Sequence, residues 1–407
     1  MEKYEVVVIG AGPSGIFSSI FAKQNKKEVS LIERNDTIGK KIFLTGNGRC
    51  NLTSYNEIDD FISKYRNGKF LINAFSRFFN KDLIEFFEKN GLKLKVERGK
   101  RVYPASDKAE DVVKTLKTII DKRGVKLFLK NRVQNIEKVE NKFIIKTDKN
   151  IIEAKKIVIA TGGKSFPQTG SEGDGYKWAK EFGHTIYGPF PALCGIEIKE
   201  NFIKKWQGIT LKNVKIKAVL NKKVIGEEFG EVLFTHYGIS GPAVLNLSGD
   251  VSENISKGEI KISINLKPAL NYEKLEKRLE REFSNNSNKE IKNVFKNLLP
   301  NKMIDEFLYQ CGIMARKKTN QITKEERKIL VSNLLSFNLN VKKTRDFSDS
   351  MVTRGGVVVK EINPKTMESK IVKGIYFAGE IIDIDGKTGG YNLQASFSTG
   401  YVAGISV

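Results

Sequence analysis

Gly10-Ala11-Gly12-Pro13-Ser14-Gly15 reads G-x-G-x-x-G, and its surroundings constrain the fold more than any other part of the chain. The motif follows an apolar run predicted as a strand over 5–9 and opens a helix predicted over 16–24. A second short strand over 28–32 then ends at Glu33-Arg34. In such a βαβ unit Gly10 permits the tight turn, Gly12 lets a pyrophosphate approach the backbone, and Gly15 lets helix and strand pack closely. The helix N-terminus favours the phosphate charge. Glu33, at the tip of the second strand, is placed to accept hydrogen bonds from an adenosine ribose. The unit alone leaves FAD and NAD both open.

Two other features favour FAD. Ile157-Val158-Ile159-Ala160-Thr161-Gly162 reads as a strand crossing into a loop, as in two-dinucleotide-type flavoproteins. Near the C-terminus, Gly379-Glu380 follows a buried strand over 374–378, where the ribityl or pyrophosphate region of FAD would lie. Gly389-Gly390-Tyr391-Asn392 then leads into a helix starting near Leu393, whose N–H groups favour negative charge at the flavin N1/O2 edge. No second G-x-G-x-x-G follows a strand, so NADH or NADPH as donor would dock without a Rossmann domain of its own.

At 407 residues the chain exceeds one typical domain. Helical patterning at 70–90 and 108–123 is followed by glycines placed as caps, Gly91 and Gly124, and short strands follow at 126–129, 132–139, 142–147, 151–153 and 157–160. Residues 194–266 read as amphipathic strands, 271–335 as helices, and strands resume after 338. The expected fold class is α/β: a Rossmann-type FAD-binding domain interrupted by an inserted β-barrel-like domain and a helical domain. The expected boundaries are 1–191 for the first part of the FAD domain, 192–270 for the β domain and 271–335 for the helices. Residues 336–345 would form a return strand and 346–407 the rest of the FAD domain. The longest apolar runs are far below the roughly 18–20 residues of a membrane span, so no membrane insertion is expected. Three cysteines at distant positions and two histidines fit neither a disulfide framework nor a metal site. With no signal-peptide pattern at the N-terminus, the cytoplasm is the expected compartment.

Further segments carry a resemblance. Gly39-Lys40-Lys41, Thr45-Gly46-Asn47-Gly48-Arg49-Cys50-Asn51, residues 233–242 around His236, residues 361–370 and residues 376–390 resemble the YhiN/BaiN-like FAD-dependent oxidoreductases, in order and across nearly the whole chain. The resemblance implies an FAD domain holding an inserted barrel-like and a helical domain, with FAD bound and NADH or NADPH as the donor of reductase members. It implies reduction of a conjugated C=C bond, in uridine of ribosomal RNA in one branch and in steroid dienones in another. Aminoacetone oxidation is assigned to a third branch, and no local motif chooses among them. Expected cofactor contacts are Gly10, Gly12, Ser14, Gly15, Glu33, Arg34, Lys41, Arg49, Val133, Thr161, Gly162, Gly379, Glu380, Gly390, Asn392 and Leu393.

The catalytic candidates are Cys50 and His236. The resemblance puts Cys50 near the flavin, where a thiol can give a proton to one carbon as hydride reaches its neighbour; the competing reading is a small packed residue. Arg49 would meet a cofactor phosphate or substrate carbonyl, or form a surface ion pair. His236, between an apolar run and the turn at 238–242, could bond a substrate oxygen, shuttle a proton, or brace that turn. His184 reads as a helix C-cap.

The net charge is +23, from 70 basic residues of which 14 are Arg and 56 Lys, against 47 acidic ones. That excess attracts polyanions, although the Lys bias also fits an AT-rich genome. Residues 199–223 hold eight lysines and one acid, Glu200, with Trp206 interleaved. Within this run Lys212, Lys215 and Lys217 are candidate contacts to a nucleic-acid backbone, the alternation of Lys215 and Lys217 placing both on one strand face. The leading expectation is an FAD enzyme reducing uridine in ribosomal RNA to dihydrouridine with NAD(P)H. A small-molecule amine oxidase or enone reductase, and an RNA-binding protein with structural FAD, are the alternatives.

Overall fold

The computed structural model describes all 407 residues, in two compact units. Met1–Pro191 together with Phe347–Val407 form one; Ala192–Asp346 form the other.

The first unit is built on a parallel core. Strand Glu2–Ile9 lies between Val29–Ile32 and Ile151–Ile159, parallel to both. Residues 151–153 and 157–160 read as separate runs, yet one strand spans them. Its alternation persists through Lys155, whose side chain points to solvent. The far edge of this strand is shared. Its first half pairs antiparallel with Lys142–Thr147, and its second half pairs parallel with Ile375–Phe377. The C-terminal segment therefore returns to the sheet that the N-terminus began. Helix Pro13–Gln24 packs on the C-terminal helix Tyr391–Ser406 so closely that a side chain at Gly400 would collide with the Ser14 backbone. The helical pattern at 70–90 is broken in two, Ile72–Arg77 and Asn80–Lys89, because the Asp82 carboxylate accepts from the Phe79 N–H at 2.7 Å and starts a new helix.

The second unit holds a closed six-stranded barrel, in which Ile196–Ile198 and Phe337–Thr344 close the ring. Thr210–Leu220 alternates as its sequence requires, with Val214, Ile216 and Ala218 inward and Lys215 and Lys217 outward. One correction falls here: residues 194–266 are not all strands, since Pro242–Asn254 is a helix. Gly241 turns the chain at φ +94°, Pro242 sits at the first helical position, and Val244, Leu247 and Val251 are buried. Helix Tyr272–Asn285 starts at Asn271, whose side chain accepts from Lys274 N–H at 2.9 Å, and buries Leu275, Leu279 and Phe283. These helices and the barrel share one apolar cluster within the compact unit Ala192–Asp346. No helix is long and apolar enough to cross a membrane.

Candidate functional site

The carboxyl ends of strands Glu2–Ile9, Val29–Ile32 and Ile151–Ile159 open into a cleft in the first unit. Ligands bind at such strand ends because the loops diverge there and the next helix points its N-terminus inward. Gly10 adopts φ +99°, and a side chain on it would meet Ala160 O at 2.6 Å. One on Gly15 would collide with Gly10 O, whereas nothing lies within 4 Å of the corresponding position on Gly12. Two of the glycines are thus demanded by packing, and the third leaves room for a ligand. No side chain caps the helix that starts at Pro13, so its first N–H groups remain available to an anion.

Glu33 lines the cleft and is 8% exposed. Its carboxylate accepts from Ala11 N–H at 2.8 Å, Asn35 N–H at 2.9 Å and Asn35 Nδ2 at 2.7 Å. A carboxylate has about four acceptor positions, so capacity for one hydroxyl remains. Two more cleft residues hold buried polar atoms without partners, Asn131 Oδ1 and Thr161 Oγ1. Such orphans are costly unless a ligand satisfies them. An open glycine, an uncapped helix, a carboxylate with spare capacity and two orphans together fit the phosphate and hydroxyl groups of an adenine dinucleotide.

At the mouth, Arg34 lies 2.9 Å from Glu172 and Arg132 lies 3.0 Å from both Glu172 and Asp174. Deeper in, Glu380 Oε2 is 2.6 Å from Lys41 Nζ, while Oε1 accepts from Ser165 Oγ at 2.6 Å and Thr353 N–H at 2.8 Å. Burial pushes the Glu380 carboxyl up, but Lys41, Ser165 and Thr353 outweigh it and hold it below the usual carboxylate range.

Of the expected contacts, Gly10, Gly12, Ser14, Glu33, Arg34, Lys41, Val133, Thr161, Gly162 and Glu380 line the cleft. Gly15, Gly379, Gly390, Asn392 and Leu393 do not; they hold the frame. A side chain on Gly379 would collide with Ser14 Oγ and one on Gly390 with the Thr53 backbone, and Asn392 bonds both backbone groups of Gly386 at 2.8 Å. Arg49 is also elsewhere, 3.0 Å from Glu97 and 3.1 Å from Asp107 with its guanidinium over the Tyr103 ring. Two carboxylates neutralise it, which leaves the ion-pair reading. Asn131, Arg132, Ser165 and Thr353 were missed, because each is defined by what lies across the fold and none by its neighbours in sequence.

Cys50 has no exposed surface. A side chain that meets cofactor or substrate has to present some surface, and this thiol presents none. Gly46 and Asn47 in the left-handed region turn the 45–50 segment so that Cys50, itself at φ +61°, points inward. Burial pushes its thiol up to about 12. His236 is exposed on the loop between Lys223–Phe234 and Gly238–Ser240 of the second unit, edge-on to Tyr237 with ring centroids 5.0 Å apart. His184 does help close a helix end, through its backbone: past Gly183 at φ +87°, its N–H donates to Ala179 O at 2.9 Å. Its buried ring bonds Glu361 at 3.1 Å through Nδ1 and Ser369 at 2.8 Å through Nε2, pinning two loops together.

The lysine run of 199–223 is less free than its sequence implies. Lys215 and Lys217 do share a face, but Glu227 of the facing strand lies there too, at 2.6 and 3.3 Å. Lys199 and Lys205 pair with Glu259 and Glu306, whereas Lys212 has no acidic partner.

The family described as the HI0933-like protein Rossmann domain matches residues 4–406. The chain belongs to this family. Its HI0933-like character agrees with the resemblance drawn from residues 39–51 and 376–390, and makes it a member of an FAD-binding oxidoreductase family. It is 31% identical over 400 residues to a 3-dehydro-bile acid delta(4,6)-reductase of Clostridium scindens, covering 98% of this chain and 97% of that one. Two ribosomal RNA dihydrouridine synthases are equally similar. That of Haemophilus influenzae is 31% identical over 100% of this chain and 99% of its own, and that of Escherichia coli 32% over 98% and 97%. Among solved structures, a 3-ketosteroid delta1-dehydrogenase of Sterolibacterium denitrificans superposes with a TM-score of 0.53 at 11% identity, covering 99% of both chains. A flavocytochrome c3 fumarate reductase gives 0.51 at 15%, over 100% of this chain and 78% of its own. These two show the fold alone.

Proposed function

We propose that this HI0933-like protein uses NADH or NADPH to add two hydrogens across an activated C=C bond, and that its substrate is a uridine of ribosomal RNA. One observation carries the reading. The near-full-length relatives are named for one chemistry on different molecules, a double-bond reduction in a bile acid and dihydrouridine formation in RNA. Dihydrouridine is uridine saturated at C5–C6, a bond conjugated to the C4 carbonyl, so hydride adds at C6 and a proton at C5. The cations of the second unit and the net charge of +23 tip the choice toward RNA.

FAD bound in the cleft would supply hydride-transfer chemistry between a nicotinamide donor and the acceptor. The chain's own residues do the rest. Gly12 and the helix N-terminus would hold the pyrophosphate and Glu33 a ribose hydroxyl, while the Lys41–Glu380 pair braces one side of the cleft. His236, exposed and imidazole-bearing, is the proposed proton donor. The buried thiol of Cys50 is not used.

A second reading, reduction of a small steroid enone, is favoured by the bile-acid relative. Anaerobic NAD(P)H oxidation by FAD-loaded enzyme separates the cases. Turnover with unmodified ribosomal RNA and the appearance of dihydrouridine support the RNA reading; turnover only with a dienone supports the steroid reading. Turnover only with an amine and O2 overturns both, and no turnover with any acceptor leaves the binding protein with structural FAD.

A further inference from the structure

On the outer face of the second unit lies an open groove of about 800 Å³, remote in sequence from the glycine loop and lined from three directions. Strand Thr210–Leu220 contributes Lys212 and Lys215, the loop after Ile260–Asn265 contributes Lys267, and helix Tyr272–Asn285 contributes Arg278. Four cations therefore converge on two carboxylates, Glu227 and Glu228. Glu227 is already taken by Lys215 at 2.6 Å and Lys217 at 3.3 Å. Lys267 and Arg278 have no acid between them. Lys267 is half-buried, and burial together with the nearby Arg278 charge lowers its affinity for a proton. A fold gains nothing from holding two cations together in a partly desolvated place, whereas a site for an anion does.

The groove also presents an aromatic. Phe229 is 62% exposed and stands directly opposite Lys215 in the strand pairing, on the same outward face. Loss of this exposed ring would cost the barrel core nothing. Beside unpaired cations, a bare ring fits a partner that alternates negative charge with flat faces.

We propose that this groove binds a single-stranded RNA segment, with Lys212, Lys267 and Arg278 on its phosphates and Phe229 stacked on a base. The proposal rests on the ribosomal RNA reading above and extends it to a second place on the chain. A duplex is excluded as the occupant because its base faces are closed to Phe229. A small polyanion would engage the cations and leave the ring unused.

The test is binding of a fluorescent oligouridylate to full-length, FAD-loaded enzyme across a range of salt. The double variant Lys267→Gln/Arg278→Gln should flatten the plot of log affinity against log salt by about 1.4, or about 0.7 per lost phosphate contact. Phe229→Ala should weaken binding about tenfold and leave that slope unchanged. Lys114→Gln/Lys122→Gln, which removes two exposed charges from helix Ala109–Arg123, should change neither. If the oligonucleotide binds and the groove variants behave as the parent, the groove is overturned while the RNA reading stands. Failure of the parent to bind any single-stranded RNA overturns both. Equal weakening by the control pair would show that net charge alone attracts the RNA, and that too sinks the groove.

Discussion

Lys41 Nζ lies 2.6 Å from Glu380 Oε2, although 339 positions separate the two residues. The same carboxylate collects Ser165 and the Thr353 N–H, so one buried charge joins the segment after the glycine loop to Thr353 and to the end of the returning strand Ile375–Phe377. Removing one partner of a largely buried pair leaves the other uncompensated. Lys41→Met should therefore cost about 2–4 kcal/mol, scaled down slightly from a fully buried pair because the cleft admits some water. Adding Glu380→Gln to Lys41→Met should recover part of that loss. Denaturant unfolding of the four proteins of the cycle measures the coupling, and additive losses would contradict it.

Acid should expose the same charge. A carboxyl held below its unfolded value of about 4.3 contributes stability that is complete above that pH and is lost as pH falls through the folded value. His184 begins an earlier loss. Burial, only partly offset by Glu361, lowers its pKa, so the unfolded chain takes up this proton first, from about pH 6.5 downward. Melting temperature against pH should decline in two stages. His184→Gln should flatten the first and Glu380→Gln the second.

Glu33 is expected to govern cofactor retention. Its carboxylate is the cleft's built acceptor for a ribose hydroxyl, and a hydrogen bond to a charged group is worth about 1.5–3 kcal/mol. Glu33→Ala should raise the FAD dissociation constant by roughly ten- to a hundredfold, read by flavin fluorescence on dilution. Unchanged retention would mean that the ribose lies elsewhere.

Cys50 and His236 should separate cleanly. Cys50→Ala removes a buried thiol and should lower the melting temperature while leaving acceptor reduction within about twofold, since the group is out of reach. His236→Gln should slow acceptor reduction by about a hundredfold or more and leave NAD(P)H-driven flavin bleaching untouched. Stopped-flow absorbance resolves the two halves. A reversed pattern would return the proton to the thiol.

The periodicity of residues 5–33 was enough to determine the βαβ unit, because each of its signals is local. A strand-length apolar run, three glycines at fixed offsets and a carboxylate after the second strand all act over a few residues. The same holds for the helix at Leu275, Leu279 and Phe283, and for the outward alternation of Lys215 and Lys217. What the sequence could not determine is which groups meet. Pro242–Asn254 hid as a helix among strands, since its start depends on a left-handed glycine lodged against a neighbouring strand. Glu227 cancels much of the lysine stripe from the facing strand, and Glu380 finds Ser165 and Lys41 more than two hundred residues away. Cys50 sits in a motif that reads as chemistry, and the turn of its own backbone buries it. Charge, reach and burial are properties of neighbours in space. Spacing along a chain encodes the elements, and only their packing assigns each side chain its surroundings.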